Sequence, residues 1–245
     1  MRQQAEGTDV SSIKIRAKFH DASGAAEREV VISQAVIAGW TGRDPAAVQK
    51  HIKELEELGV KAPATKPIFY RVSAARITTA EVIEATGTAS SGEVEYVILQ
   101  TGGKMWVGVG SDHTDREVET YGVTVSKQMC DKPIAMAFWS YDACAPHWDK
   151  LMLRSFIPAT DGPEKGGRVL YQEGAVAGML SPDDLIGRYT NGAKALANGT
   201  IMFCGTFAAK GGIRPADRFD YEIDDPVLGR KITGGYAITT LPVLG

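Results

Sequence analysis

The chain has 245 residues, 27 Lys+Arg against 30 Asp+Glu, and 44% hydrophobic residues. That length allows one large domain or two small ones with an ample core, and a net charge of −3 argues against a general nucleic-acid binder or a polybasic membrane protein. Charged residues at 23% and aromatics at 8% exclude wholesale disorder, and apolar runs such as residues 175–180 are too short to span a bilayer. The first ten residues are polar, without an apolar segment of signal-peptide type. Cys130, Cys144 and Cys204 are scattered and lack metal-ligand spacing. A globular protein of the reducing cytoplasm, with neither nucleic acid nor membrane as partner, is expected.

In chain order, Ile13, Ile15, Ala17 and Phe19 alternate with polar residues and predict a strand. A turn at residues 21–24 leads to a second extended segment at Val30, Val31 and Ile32. The best helix follows: Asp44 caps it, Pro45 suits the first helical position, and Gly59 suits its end. Val48, Ile52 and Leu55 form its apolar stripe, with His51 beside the stripe and Glu54 three positions on. Residues 61–67, with prolines at 63 and 67, read as a loop into a strand at 69–72. The expected division is an N-terminal strand-and-lid region, residues 1–62, and a β-rich body, residues 63–245. Short strands then dominate, at 93–99, 105–109, 134–139, 200–204, 219–223 and 231–237. Ser181-Pro-Asp-Asp opens a helix running towards Leu196. The fold class is α+β, mostly β.

The chemistry concentrates in residues 92–112. Glu93 and Glu95 share a strand face because side chains alternate. Gly102-Gly103 is a two-residue hairpin turn, and pairing Thr101 with Lys104 sets Glu93 opposite Asp112. Three carboxylates then crowd one patch, with opposed side chains about 5 Å apart. Repulsion that close calls for a cation, and oxygen-only ligands point to Mg²⁺, Mn²⁺ or Ca²⁺ rather than zinc. An acidic hairpin face that binds nothing is the competing reading. With a divalent cation, Arg116 and Lys127, this set carries a single positive charge and suits an anionic substrate, most simply a carboxylate. A structural salt bridge for Arg116 and a solvated surface for Lys127 are the plainer alternatives. Gly108-x-Gly110 lacks the third glycine and the helix of a dinucleotide-binding turn. His20 and His147 read as structural, and His113, next to Asp112, alternates to the opposite face.

Glu93-x-Glu95 followed by Gly110-Ser111-Asp112-His113-Thr114-Asp115-Arg116 resembles the E-x-E and G-N-D-x-S-x-R signature of the fumarylacetoacetate hydrolase superfamily, within it the divergent DUF2848 branch. Ser126-Lys127 with residues 131–135, the 198–206 segment ending Gly205-Thr206, and His51-Ile52-Lys53-Glu54 resemble further motifs in the same order. The resemblance implies a mixed β-roll, a homodimer, and a divalent metal, Mg²⁺ or Mn²⁺ with Ca²⁺ as an alternative, on Glu93, Glu95 and Asp112. It implies Arg116, Lys127 and Thr206 as substrate and metal-shell contacts, with Lys127 stabilising an oxyanion, and His51–Glu54 as the water-activating pair. The expected activity is hydrolysis of a carbon–carbon bond in a small anionic oxo acid, of β-diketo or acylpyruvate type. An oxaloacetate-type decarboxylase, a sugar-acid dehydratase and a non-catalytic metabolite-binding module are the alternatives. Departures include Ser111 for the usual Asn and Phe207-Ala208-Ala209 in place of a P-x-G turn.

Overall fold

A computed structural model describes residues 11–244 apart from 47, 50, 51, 54–62 and 161–164. The strands in chain order are β1 (Ile13–Asp21), β2 (Gly24–Ile32), β3 (Gln34–Gly39), β4 (Ile68–Val72), β5 (Ile77–Thr78), β6 (Val82–Thr86), β7 (Ser90–Ser91), β8 (Val94–Thr101) and β9 (Lys104–Ser111). After β10 (Thr114–Asp115) come helices α1 (Arg116–Tyr121) and α2 (Val123–Met129), then β11 (Lys132–Pro133), β12 (Ala137–Ser140) and α3 (Tyr141–Cys144). The remainder is β13 (Met152–Pro158), β14 (Arg168–Ala175), α4 (Pro182–Tyr189), β15 (Thr200–Phe203), β16 (Arg218–Asp225) and β17 (Arg230–Leu241).

Eight strands form one sheet in the order β2-β1-β12-β9-β8-β15-β3-β4, and five form a second in the order β14-β13-β16-β17-β6. Strand β8 lies near the middle of the larger sheet and is buried on both faces, as its apolar run requires. Tyr96 and Ile98 pack with Leu153, Phe219 and Tyr236 of the second sheet, while Val97 and Leu99 face a second cluster. That cluster gathers Phe19 of β1, Ile37 of β3 and Tyr70 of β4, from opposite ends of the larger sheet. The sheet must therefore curl around it, giving the α+β, strand-dominated roll expected. The N-terminal strands join this sheet through parallel pairs of β1 with β12 and β3 with β15.

The expected helix after Asp44 has described helical residues between 45 and 53, and the Ala46 N–H donates to Asp44 Oδ1 at 2.8 Å. Ser181 caps α4, accepting from Asp184 N at 3.2 Å. That helix stops well short of Leu196: Thr190 donates its hydroxyl to Ile186 O at 2.6 Å, and Asn191 turns the chain at φ +56°. Among the described residues no helix is long and apolar enough to cross a membrane.

Candidate metal centre

The β8–β9 hairpin has the expected register, with Thr101 opposite Lys104, Glu95 opposite Gly110, and Val94 opposite Ser111. One step further, Asp112 N donates to Glu93 O at 3.0 Å, which brings the acidic residues to one end of the ribbon. Ligand oxygens of Glu93, Glu95 and Asp112 lie within 4.8 Å of one another. Glu95 and Asp112 are buried, and the Glu93 side chain is 16% exposed, so the cluster is not on a solvated face.

Three basic side chains surround these carboxylates. Lys127, from the last turn of α2, is hydrogen-bonded to Asp112 Oδ2 and lies 3.6 Å from Glu93 Oε2. Lys132, in β11, lies 3.2 Å from Asp112 Oδ1. Arg116, at the start of α1, donates to Glu93 Oε1 and Glu119 Oε2, both at 3.0 Å, and to Ser91 Oγ at 2.7 Å. Local structure fixes these positions: Asp115 caps α1 through Glu117 N and Val118 N, and Ser126 ties α2 back to Asp115 O at 2.6 Å. Arg116 thus makes the structural salt bridges of its plainer reading, to Glu93 and Glu119, while Lys127 is a buried ion-pair partner and not a solvated surface lysine.

Burial pushes the Glu95 carboxyl well up, and Asp112 and Glu93 push it further. Gly205 N–H donates to Glu95 Oε2 at 2.6 Å. Burial alone would raise Asp112 too, but Lys127 and Lys132 outweigh it and hold that carboxyl below its usual range. Burial likewise works against the Lys127 ammonium, and Asp112 and Glu93 more than offset it, leaving its pKa raised. Among the described residues Asp112 Oδ1, fully buried, receives no well-aligned hydrogen bond. A hard oxygen donor set this close, with one carboxylate oxygen short of a donor, fits Mg²⁺, Mn²⁺ or Ca²⁺.

Thr206 lies one layer back. Its hydroxyl donates to Val94 O at 2.7 Å and accepts from Gln172 Nε2 at 2.9 Å, so its proton is committed to the backbone of β8. His51 and Glu54 lie outside the described residues. His113 does face away from the carboxylates, as alternation requires: its Nδ1 lies 2.9 Å from the Tyr236 hydroxyl, which also meets Ser111 Oγ at 2.9 Å. Ser111, in place of the usual Asn, accepts from Glu93 N at 3.2 Å and so supports the ligand ribbon.

Several site residues escaped sequence reasoning. Gln172 joins Val94 N, Ser155, Thr206 and Phe207 O across the two sheets, and no local pattern marks it. Tyr70 of β4 places its ring centroid 6.0 Å from Lys127 Nζ, and its hydroxyl is bonded by the side chain of Trp40, whose indole N–H can only donate. Trp40 has φ +58°, an uncommon conformation for a bulky residue, and the next residue, Thr41, donates to Cys204 O at 3.0 Å beside Gly205.

A profile of DUF2848, described as a protein family of unknown function, matches residues 38–236. The chain belongs to this family. A search of curated proteins returned no match. Among solved structures, a protein provisionally described as a fumarylpyruvate hydrolase from Burkholderia cenocepacia is similar at TM-score 0.62 and 18% identity, over 99% of this chain and 98% of that one. Yeast ynq8, a fumarylacetoacetate hydrolase family protein, matches at TM-score 0.57 and 19% identity, over 87% and 95%. A protein provisionally described as a fumarylacetoacetate isomerase/hydrolase from Oleispira antarctica matches at 0.59 and 17%, over 85% and 94%. Identities this low speak to fold, and the fold is that of fumarylacetoacetate hydrolase family proteins. This DUF2848 chain shares that fold.

Proposed function

We propose that this chain is a metal-dependent hydrolase, active as a homodimer in the cytoplasm, that cleaves a carbon–carbon bond in a small anionic oxo acid of acylpyruvate type. The observation that carries the reading is the buried set of Glu93, Glu95 and Asp112, oxygens within 4.8 Å, with Lys127 bound to Asp112 and close to Glu93. A divalent cation there, Mg²⁺ or Mn²⁺ by preference, supplies Lewis-acid polarisation of a substrate carbonyl when bound. Lys127 orients Asp112 and offers an ammonium to developing oxyanion charge. Arg116 serves the site through Glu93, whose carboxylate it orients, and Thr206 through β8, whose end it fixes to Gln172.

His51, made more basic by Glu54, takes a proton from water as the water oxygen bonds to the distal carbonyl carbon. The carbon–carbon bond then breaks, its electron pair leaves on the carbon between the carbonyls as an enolate, and protonation there gives a 2-oxo acid beside a new carboxylate. Turnover of an acylpyruvate in ¹⁸O-water tests this, with one label expected in the new carboxylate. Unlabelled product with released CO₂ points instead to a decarboxylase. His51→Ala is expected to lower kcat by roughly 10²–10⁴-fold while leaving cation binding intact. A variant with unchanged turnover removes the histidine from the mechanism.

A further inference from the structure

Lys132 has a completely buried side chain. It enters from the two-residue strand β11, held beside β5 by the pairing of Lys132 with Ile77. Its Nζ donates to His113 O at 2.7 Å and to Cys130 O at 3.0 Å, and Asp112 Oδ1 lies 3.2 Å away. All of these neighbours are acceptors. An ammonium donates to both carbonyls and stands against Asp112 Oδ1 as an ion pair without a well-aligned hydrogen bond, whereas a neutral amine would turn a lone pair onto one of these oxygens. Burial works to lower the pKa of this lysine, and Asp112 with the two carbonyls favours the ammonium against it, a buried positive charge.

That charge sits against the oxygen of Asp112 that Lys127 does not hold, so one carboxylate meets two ammonium groups. Glu93 is shared in the same way by Arg116 and Lys127. A cation binding here finds carboxylates already compensated, and a like charge close behind one of them, where the protein interior screens poorly. Resting on the metal-dependent reading above, we propose that Lys132 is a positioning residue that holds Asp112 in place while weakening cation binding, so that the cation is retained together with an anionic chelating substrate. The negative charge of an oxo acid offsets the repulsion that Lys132 imposes, and cation and substrate strengthen each other's binding.

The experiment is calorimetric titration of Mn²⁺ into chelator-stripped, desalted wild type, Lys132→Met and Lys132→Gln, with and without oxalate as an unreactive dianionic chelator. The variants are expected to bind Mn²⁺ at least roughly tenfold more tightly than wild type, with a smaller gain from oxalate. A buried lysine with only a structural role predicts the opposite sign, so folded variants with equal or weaker Mn²⁺ binding overturn the proposal. A variant unfolded alone that regains the wild-type circular dichroism spectrum with Mn²⁺ supports it, because the cation then takes over the lysine's charge. One unfolded in both conditions overturns it. Wild type that binds no Mn²⁺ either with or without oxalate removes the metal reading itself. Wild-type binding that the substitutions do not strengthen removes only the role given to Lys132.

Discussion

Glu95 concentrates the electrostatics of the site in one side chain. It is buried beside two other carboxylates, and Gly205 N–H at 2.6 Å reaches one of its oxygens. A cation that binds the folded state relieves that crowding, so Mg²⁺ or Mn²⁺ is expected to raise the melting temperature by mass action. Glu95→Gln and Asp112→Asn should each abolish the rise, and identical responses in wild type and both variants would show that ions bind elsewhere. Gly205 is a second sensitive point, because its φ is +104° and an added Cβ would land on Thr41 Oγ1. Gly205→Ala should therefore destabilise the chain by about 2 kcal/mol or more and weaken the cation-induced shift, both read by thermal melts. A variant with wild-type melts, with and without cation, would mean that the 204–206 turn yields freely.

At the scale of elements, the β8–β9 ribbon was the most legible part of the molecule. Gly102 and Gly103 both have positive φ, as a tight two-residue turn requires, and the turn sets every later pair down to Asp112. Hairpin register is a local property, so the acidic triad could be read without tertiary information. Lys132 could not, because its surroundings are made by the parallel pairing of β11 with β5, which no turn specifies. Gln172 and Tyr70 were equally hidden, each reaching the site from a strand distant in sequence. Ser111 looked like a departure from a motif and proves to be a ribbon support, through Glu93 N and Tyr236. Gly110 carries the element-scale prediction. A Cβ there would stand 2.7 Å from Pro133 O, backbone that cannot swing aside, on the bridge from Gly110 to Ile134. Gly110→Ala is expected to separate β9 from the 133–135 segment, lower stability by about 1–3 kcal/mol, and weaken Mn²⁺ binding. Gly103→Ala, whose Cβ meets nothing within 4 Å but whose φ is +71°, should lower stability while sparing the cation site. Equal losses of Mn²⁺ binding in both variants would undo the distinction.

For the whole molecule, the homodimer proposed above predicts twice the monomer mass by light scattering at micromolar concentration, and a monomer mass throughout the range would remove it. The acid limit of stability follows from a residue that the carboxylate pattern does not involve. His113 is 1% exposed, and burial, with Lys132 and Arg116 adding to it, presses its pKa down to about 3. Unfolded, its imidazole titrates near 6.5. As pH falls from about 6.5 towards 3, the unfolded chain takes up a proton that the folded chain refuses. The stabilising contribution is complete above about pH 6.5 and declines by up to about 1.4 kcal/mol per pH unit below it. His20, lowered by burial and by Lys18, acts in the same direction, and Glu95, raised, acts in the opposite one. Both remain in His113→Gln, so the difference between that variant and wild type isolates His113. With chelator present, His113→Gln should be the less stable protein at pH 7.5, having lost the imidazole bond to Tyr236. Its denaturation midpoint should then fall less steeply than that of wild type between pH 6.5 and about 4.5, so that the two curves converge. Parallel curves across that window would mean that the folded protein accommodates a protonated His113, and the buried contact between the ligand ribbon and β17 would have to open to admit it.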